Sequence, residues 1–167
     1  CKTSLHCLAM HLALVAVLSG RLAEETQGIV EVEGVLYLGN HGLEQWWNGR
    51  TRILEGAEPF LRLMQKARAI LGTLSLPGVY LEDKGIVMAM HYRHAHDPIG
   101  ACEEIQNFSE PLVRALGLRI THGKMVVEVR PPVEVDKGTT LRALVQEYGL
   151  AKVILLGDDL TDVDAFQ

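Results

Sequence analysis

Carboxylates crowd the end of the chain. Asp158, Asp159, Asp162 and Asp164 fall within seven positions, directly after an apolar run at 153–156 and Gly157. Charges of one sign this close repel unless a cation sits among them, and a hard, oxygen-seeking ion such as Mg2+ suits an all-carboxylate donor set. The competing reading is the acidic first turn of a helix, where Asp caps the backbone and meets the helix dipole. On these residues alone the two readings balance. The run at 153–156 has the continuous apolar character of a strand buried on both faces of a parallel sheet. Open α/β sheets bind ligands beyond the carboxyl ends of such strands.

Other chemistry-bearing residues also sit at the ends of apolar runs. Ser19 follows a run at 14–18 and precedes Gly20. A hydroxyl there can meet a phosphate, although an ordinary turn serine is the simpler reading of Ser-Gly by itself. Gly39-Asn40-His41-Gly42 follows the run at 35–38, and its two glycines imply tight backbone geometry around Asn40 and His41. Lys137 stands just before a helical stretch, where a solvated lysine is the plain alternative to a functional one. Glu82 and Lys84, two apart, share a side if their strand continues that far. Glu128 shares a strand face with Val126 and Arg130, where it can hydrogen-bond a ligand or simply meet solvent. His91, His94 and His96 invite a zinc reading, but no cysteine or second histidine pair supports a closed site.

The elements that must position these residues follow from periodicity. Leu5, Leu8 and Leu12 have helical spacing, and residues 14–18 and 35–38 read as strands. Residues 29–34 read as a connection. Asn48-Gly49 predicts a two-residue hairpin turn. Phe60, Leu63, Met64, Ala67 and Leu71 mark an amphipathic helix. Strands at 79–82 and 86–93 flank a turn at Asp83-Lys84-Gly85. A helix at 101–116 is expected to break or restart near Ser109, because Pro111 cannot donate to the helical ladder. Strands at 118–121 and 125–129 flank His122-Gly123-Lys124. Leu141, Leu144, Val145 and Tyr148 form the stripe of a last helix, stopped by Gly149. The pattern is an α/β core at 1–52 and 131–167, interrupted by an inserted α+β lobe at 53–130.

Composition narrows the class. The chain of 167 residues is 48% hydrophobic and 22% charged, which suits a globular protein. A net charge of -5 argues against a nucleic-acid partner. No apolar run is long enough to span a membrane, and residues 12–18 lack the cleavage site of a signal peptide. Cys1, Cys7 and Cys102 show no metal or redox spacing, so a reducing cytoplasm is the simplest setting. A start at Cys1 and a stop at Gln167, where a helix is due, lead us to expect a piece of a longer chain.

Taken in order, Ser19-Gly20-Arg21, Lys137-Gly138 and Gly157-Asp158-Asp159-Leu160-Thr161-Asp162 resemble the second, third and fourth motifs of the haloacid dehalogenase superfamily of phosphatases. Gly39 to Glu44, Glu82 to Gly85, His91-Tyr92-Arg93 and Val127 to Pro131 narrow the likeness to the trehalose-6-phosphate phosphatase family. The resemblance implies a Rossmann-like core with a mobile cap, a sugar-phosphate substrate, Mg2+, and hydrolysis of trehalose 6-phosphate through an aspartyl-phosphate. It leaves room for a fused or associated trehalose-phosphate synthase, for another sugar phosphatase of the superfamily such as a sucrose-phosphate type, and for a non-catalytic sugar-phosphate-binding module.

The resemblance also assigns roles. Ser19 donates a hydrogen bond to the phosphoryl group, and Lys137 places positive charge beside it. Asp158 is a direct metal ligand, with Asp159 and Asp162 binding directly or through water. Asn40 and His41 line the cleft, and Glu82, Lys84, Arg93 and Glu128 recognise the sugar. One motif is missing. The family's nucleophile lies in an Asp-x-Asp-Gly-Thr stretch ahead of the Ser-Gly-Arg strand, yet the first Asp here is Asp83. The core is therefore expected to be incomplete, and the 167 residues to be inactive alone.

Overall fold

A computed structural model describes residues 2–157, which divide into two units. One unit runs through Leu54 and resumes at Glu134; the other is Glu55–Val133.

In the first unit, α1 (Lys2–His11) precedes β1 (Ala16–Leu18), α2 (Ala23–Val30) and β2 (Leu36–Gly39). β1 and β2 pair in parallel, so α2 is the crossover of a β-α-β unit. The chain then turns through a 3-10 segment at Asn40–Gly42 into β3 (Glu44–Trp47) and β4 (Arg50–Ile53). The sheet order is β1-β2-β3-β4, with β2, β3 and β4 antiparallel. Asn48 and Gly49 have φ of 48° and 78°, the left-handed pair that a two-residue hairpin with the native strand twist requires. α5 (Lys137–Glu147) returns to this unit.

β2 is buried along its whole length because helices cover both of its faces. Tyr37 packs with Ala23, Val32 and Val35 on one side, and Leu36 and Leu38 pack with Leu144 on the other. The buried Tyr37 hydroxyl donates to Val32 O at 2.8 Å and accepts from Val32 N at 3.1 Å, so its polar end is satisfied.

The second unit holds α3 (Leu61–Leu71), β5 (Tyr80–Asp83), β6 (Met88–His91), α4 (Pro98–Leu116), β7 (Arg119–Gly123) and β8 (Val126–Arg130). Its sheet is fully antiparallel, ordered β5-β6-β8-β7. Alternation along the strands divides the sheet between two faces. Met88, Met90, Val127 and Val129 are buried, and Ser109 on α4 donates to Met90 Sδ at 4.0 Å, which marks theirs as the helix face. Glu82, Ala89, Glu128 and Thr121 form one row across the opposite face.

Several expectations are corrected. Residues 153–156 are not a strand: they have no regular structure, and Ile154 and Leu156 are 88% and 90% exposed. A strand exists only through pairing, and this run has no partner among the described residues. The run at 14–18 gives a strand of only three residues, partly exposed, which pairs on one side alone among the described residues. α2 was not read from the sequence; it runs two residues into the stretch 29–34 expected to be a connection, and 31–34 are irregular as expected. Its first turn carries Glu24 and Glu25, favourable at a helix N-terminus. α4 is continuous through Pro111. Proline removes one backbone donor, but its φ is helical, and burial of Ile105, Ser109 and Val113 holds the helix on both sides of it. β6 ends at His91, so Arg93 lies in the following turn and not on the strand.

Candidate phosphate and sugar sites

Ser19 directly follows β1, and its backbone ties together the loops that follow two parallel strands. Ser19 N donates to Leu38 O, and His41 N donates to Ser19 O, each at 2.9 Å. Asn40 N donates to Arg21 O at 2.8 Å. Ser19 Oγ accepts the Arg21 amide at 3.1 Å, which leaves the hydroxyl proton available for donation. A Cβ at Gly20 would sit 2.8 Å from His41 Nε2, so only glycine lets the imidazole lie against this turn. The structure thus brings Ser19, Asn40 and His41 together.

Asn40 and His41 both have positive φ, at 50° and 61°. Asparagine tolerates this region better than most residues, and a buried neighbour helps to hold it. Glu44, 5% exposed, accepts the Ala23 amide at 2.6 Å and the Asn40 side-chain amide. Burial pushes the Glu44 carboxyl above its ordinary range, against those two hydrogen bonds, which pull it down. Gly39 is required here, since a Cβ would strike the Ala23 backbone and the Glu44 carboxylate. The importance of Glu44 was not read from the sequence. A glutamate two residues beyond Gly42, just ahead of the Asn48-Gly49 turn, was the available signal.

Lys137 is the first residue of α5. Asp136 caps that helix by accepting Thr139 N at 2.6 Å, while Thr139 Oγ1 accepts Asp136 N at 2.9 Å, a reciprocal capping box. Those bonds, chiefly the Thr139 amide, hold the Asp136 carboxyl below its ordinary range. Thr140 Oγ1 donates to Asp136 O at 2.7 Å and reaches His41 O at 3.5 Å. Gly42, with φ of 104°, lies so close that a Cβ would collide with the Thr140 side chain. The helical turn that carries Lys137 is therefore seated on the loop that carries His41. Lys137 also lines an apolar cavity of about 500 Å³ with Leu14, Leu18, Leu38, Leu141 and Leu144.

In the second unit, Lys84 lies between two carboxylates. Its Nζ is 3.7 Å from Glu82 Oε2 and 3.5 Å from Glu128 Oε1, with the lysine and Glu128 side chains only 11% and 13% exposed. His91 Nε2 is 2.7 Å from the same Glu82 oxygen, and the Tyr80 ring stacks on His91 at 4.7 Å and 13°. Three of the four expected sugar residues, Glu82, Lys84 and Glu128, meet here. Arg93 is exposed in the turn beyond β6 and belongs to no described contact of this group.

Asp158, Asp159 and Asp162, expected to hold Mg2+, lie outside the described residues. Their donors are all carboxylate oxygens, the chemistry a hard divalent ion selects. Among the described residues no group of three or more His, Cys, Asp or Glu is placed to hold a metal, so His91, His94 and His96 form no such site.

Comparison with known proteins defines the class and then the family. A haloacid dehalogenase-like hydrolase from Bacteroides thetaiotaomicron superposes with a TM-score of 0.65 over 98% of this chain and 76% of its own, at 14% identity. A trehalose-6-phosphate phosphatase related protein reaches 0.78 over 99% of this chain and 69% of its own, at 24% identity. The fold is that of the haloacid dehalogenase superfamily, with a Rossmann-like core. The trehalose-phosphatase family model matches residues 2–167, and the chain belongs to that family. A trehalose-phosphate phosphatase of Mycobacterium marinum is 37% identical over 161 residues, covering 91% of this chain and 40% of that protein. The chain thus spans about half or less of the curated relatives it matches.

Proposed function

We propose that the chain carries the sugar-phosphate site of a phosphatase that hydrolyses trehalose 6-phosphate to trehalose and phosphate. The observation that carries this reading is that Ser19 and the first turn of α5, bearing Lys137, are both anchored to the His41 loop. A hydroxyl donor and a lysine-bearing helical turn, both anchored to one loop, suit a phosphoryl group. The family match supports the substrate.

On this reading Ser19 donates its hydroxyl proton to a phosphoryl oxygen, since Oγ already accepts the Arg21 amide. Lys137 offsets negative charge on the phosphoryl group. His41 and Asn40 form the wall beside Ser19. Glu82 and Glu128 accept from sugar hydroxyls, and Lys84, held between them, donates. Arg93 joins them as a further donor to the sugar. The segment Glu55–Val133 is the cap and the remainder is the core. Asp158, Asp159 and Asp162 hold Mg2+, which supplies charge neutralisation when bound. Phosphoryl transfer through an aspartyl-phosphate needs a carboxylate nucleophile, and no Asp precedes Asp83 in these 167 residues. The 167-residue chain therefore binds the sugar phosphate without turning it over. A cytoplasmic setting and a fused or associated trehalose-phosphate synthase belong to the same reading.

The test is calorimetric titration with trehalose 6-phosphate, sucrose 6-phosphate and glucose 6-phosphate in Mg2+, together with a phosphate-release assay. Tightest binding of trehalose 6-phosphate, lost in Ser19→Ala and Lys137→Met, is the expected outcome. Equal affinity for the three esters would discard trehalose specificity, and steady phosphate release would discard the binding-only state of this chain.

A further inference from the structure

We infer that His91 is a positioning residue for sugar recognition, fixing the Glu82 carboxylate through its Nε2 while Tyr80 fixes the imidazole. The inference rests on the proposed sugar role of Glu82, Lys84 and Glu128, and it extends that role to two residues the sequence did not single out for it.

Three observations carry it. His91 Nε2 lies 2.7 Å from Glu82 Oε2, and the histidine side chain is 24% exposed against 39% for the glutamate. Tyr80 and His91 are direct partners across β5 and β6, and their rings stack at 4.7 Å and 13°. Lys84 Nζ approaches that same Glu82 oxygen at 3.7 Å.

A glutamate on an open sheet face has three rotatable bonds and loses rotamer entropy when a ligand orders it. Here the imidazole and the ammonium both hold Oε2, so Glu82 meets a ligand already oriented. Its other oxygen keeps acceptor capacity for a sugar hydroxyl. His91 needs its proton on Nε2 to do this, and both the Nε2-protonated neutral ring and the imidazolium provide it. The exposed Tyr80 ring acts on the far side of the imidazole, restricting its rotation.

The experiment uses the whole 167-residue chain with two probes, trehalose and inorganic phosphate, each titrated by calorimetry. His91→Leu removes the donor. His91→Gln keeps an N–H donor near the position of Nε2, and His91→Asn keeps polarity but is too short to reach Glu82. The expected result is about tenfold weaker trehalose binding in the Leu and Asn variants, as for loss of a hydrogen bond to a charged group. Glutamine restores affinity to within about threefold, and the phosphate affinity of all three is unchanged. Trehalose affinity unchanged in His91→Leu or His91→Asn, beside a loss in Glu82→Gln, overturns the inference. So does a glutamine variant as weak as leucine, which would mean that only packing on Tyr80 matters. Wild-type trehalose affinity in Glu82→Gln would instead overturn the sugar-site reading on which the inference stands. Should the leucine variant fail to fold, the asparagine and glutamine pair carries the same comparison.

Discussion

Glu44 is a charge stored under the loop that presents Asn40 and His41. Its carboxylate accepts the Ala23 and Asn40 amides, yet burial dominates and holds the group above its ordinary range. A raised folded-state value means that the folded protein takes up a proton more readily than the unfolded chain. Its contribution to stability is best below the unfolded value near 4.5 and declines as pH rises through the higher folded value. Glu44→Gln keeps an acceptor for the Ala23 amide and carries no charge to bury. Urea midpoints measured from pH 4 to 8 should therefore show a flatter pH dependence in the variant and equal or greater stability at pH 7. A variant that is less stable at pH 7 would show that the ionised carboxylate, not merely its acceptor oxygen, holds the loop. At this scale the sequence was partly legible. Glycines on both sides of Asn40 and His41 announced strained backbone. The shared side expected of Glu82 and Lys84 required the strand to continue, but β5 ends at Asp83 and Lys84 reaches Glu82 from just beyond it. What it concealed was the pairing of distant residues: Glu44 with Ala23, and His91 with Glu82, are contacts between elements, and no local spacing encodes them.

α5 shows how an element aims a functional group. Lys137 is its first residue, and the Asp136–Thr139 capping box fixes where the helix starts. Asp136→Ala removes the acceptor for the Thr139 amide, and loss of such a cap costs about 1 kcal/mol. Chemical denaturation at pH 7 should show that loss. The Asp136 carboxyl is held below its ordinary 3.8, so its stabilisation is present above that value and fades as pH falls through the lower folded one. The gap between wild type and Asp136→Ala should accordingly close under strongly acid conditions; a gap constant down to pH 2 would assign the cost to packing instead. Elements whose signals are local were readable. Asn48-Gly49 gave its hairpin, Gly149 ended α5 in the left-handed region, and the stripe through Met64, Ala67 and Leu71 gave α3 its buried face. Elements decided by partners were not. Residues 153–156 have the composition of a strand but no neighbour to pair with among the described residues. Pro111 looked like a helix break, but the buried contacts of Ile105, Ser109 and Val113 outweigh one lost hydrogen bond.

At the scale of the molecule, the chain presents apolar surface that its own described residues do not cover. Ile154 and Leu156 are almost fully exposed, Leu12 is 52% exposed, and an apolar cavity of about 500 Å³ lies along β1. β1 pairs with β2 alone among the described residues, so its other edge presents backbone donors and acceptors beside that cavity. An unpaired edge next to exposed aliphatic side chains is a template for pairing between chains. The net charge of -5 opposes association only over a Debye length of roughly 8–10 Å at moderate salt. The chain should therefore self-associate in the micromolar range, increasingly as salt screens that repulsion. Light scattering after size exclusion should show the weight-average mass rising with concentration and with NaCl. Ile154→Lys together with Leu156→Lys places two charges on the exposed run, outside β1, β2 and both buried clusters, so it should lower the mass toward that of one chain with the melting temperature preserved. A mass independent of concentration in the wild type, or unaltered self-association in the double variant, would remove residues 153–156 as its cause.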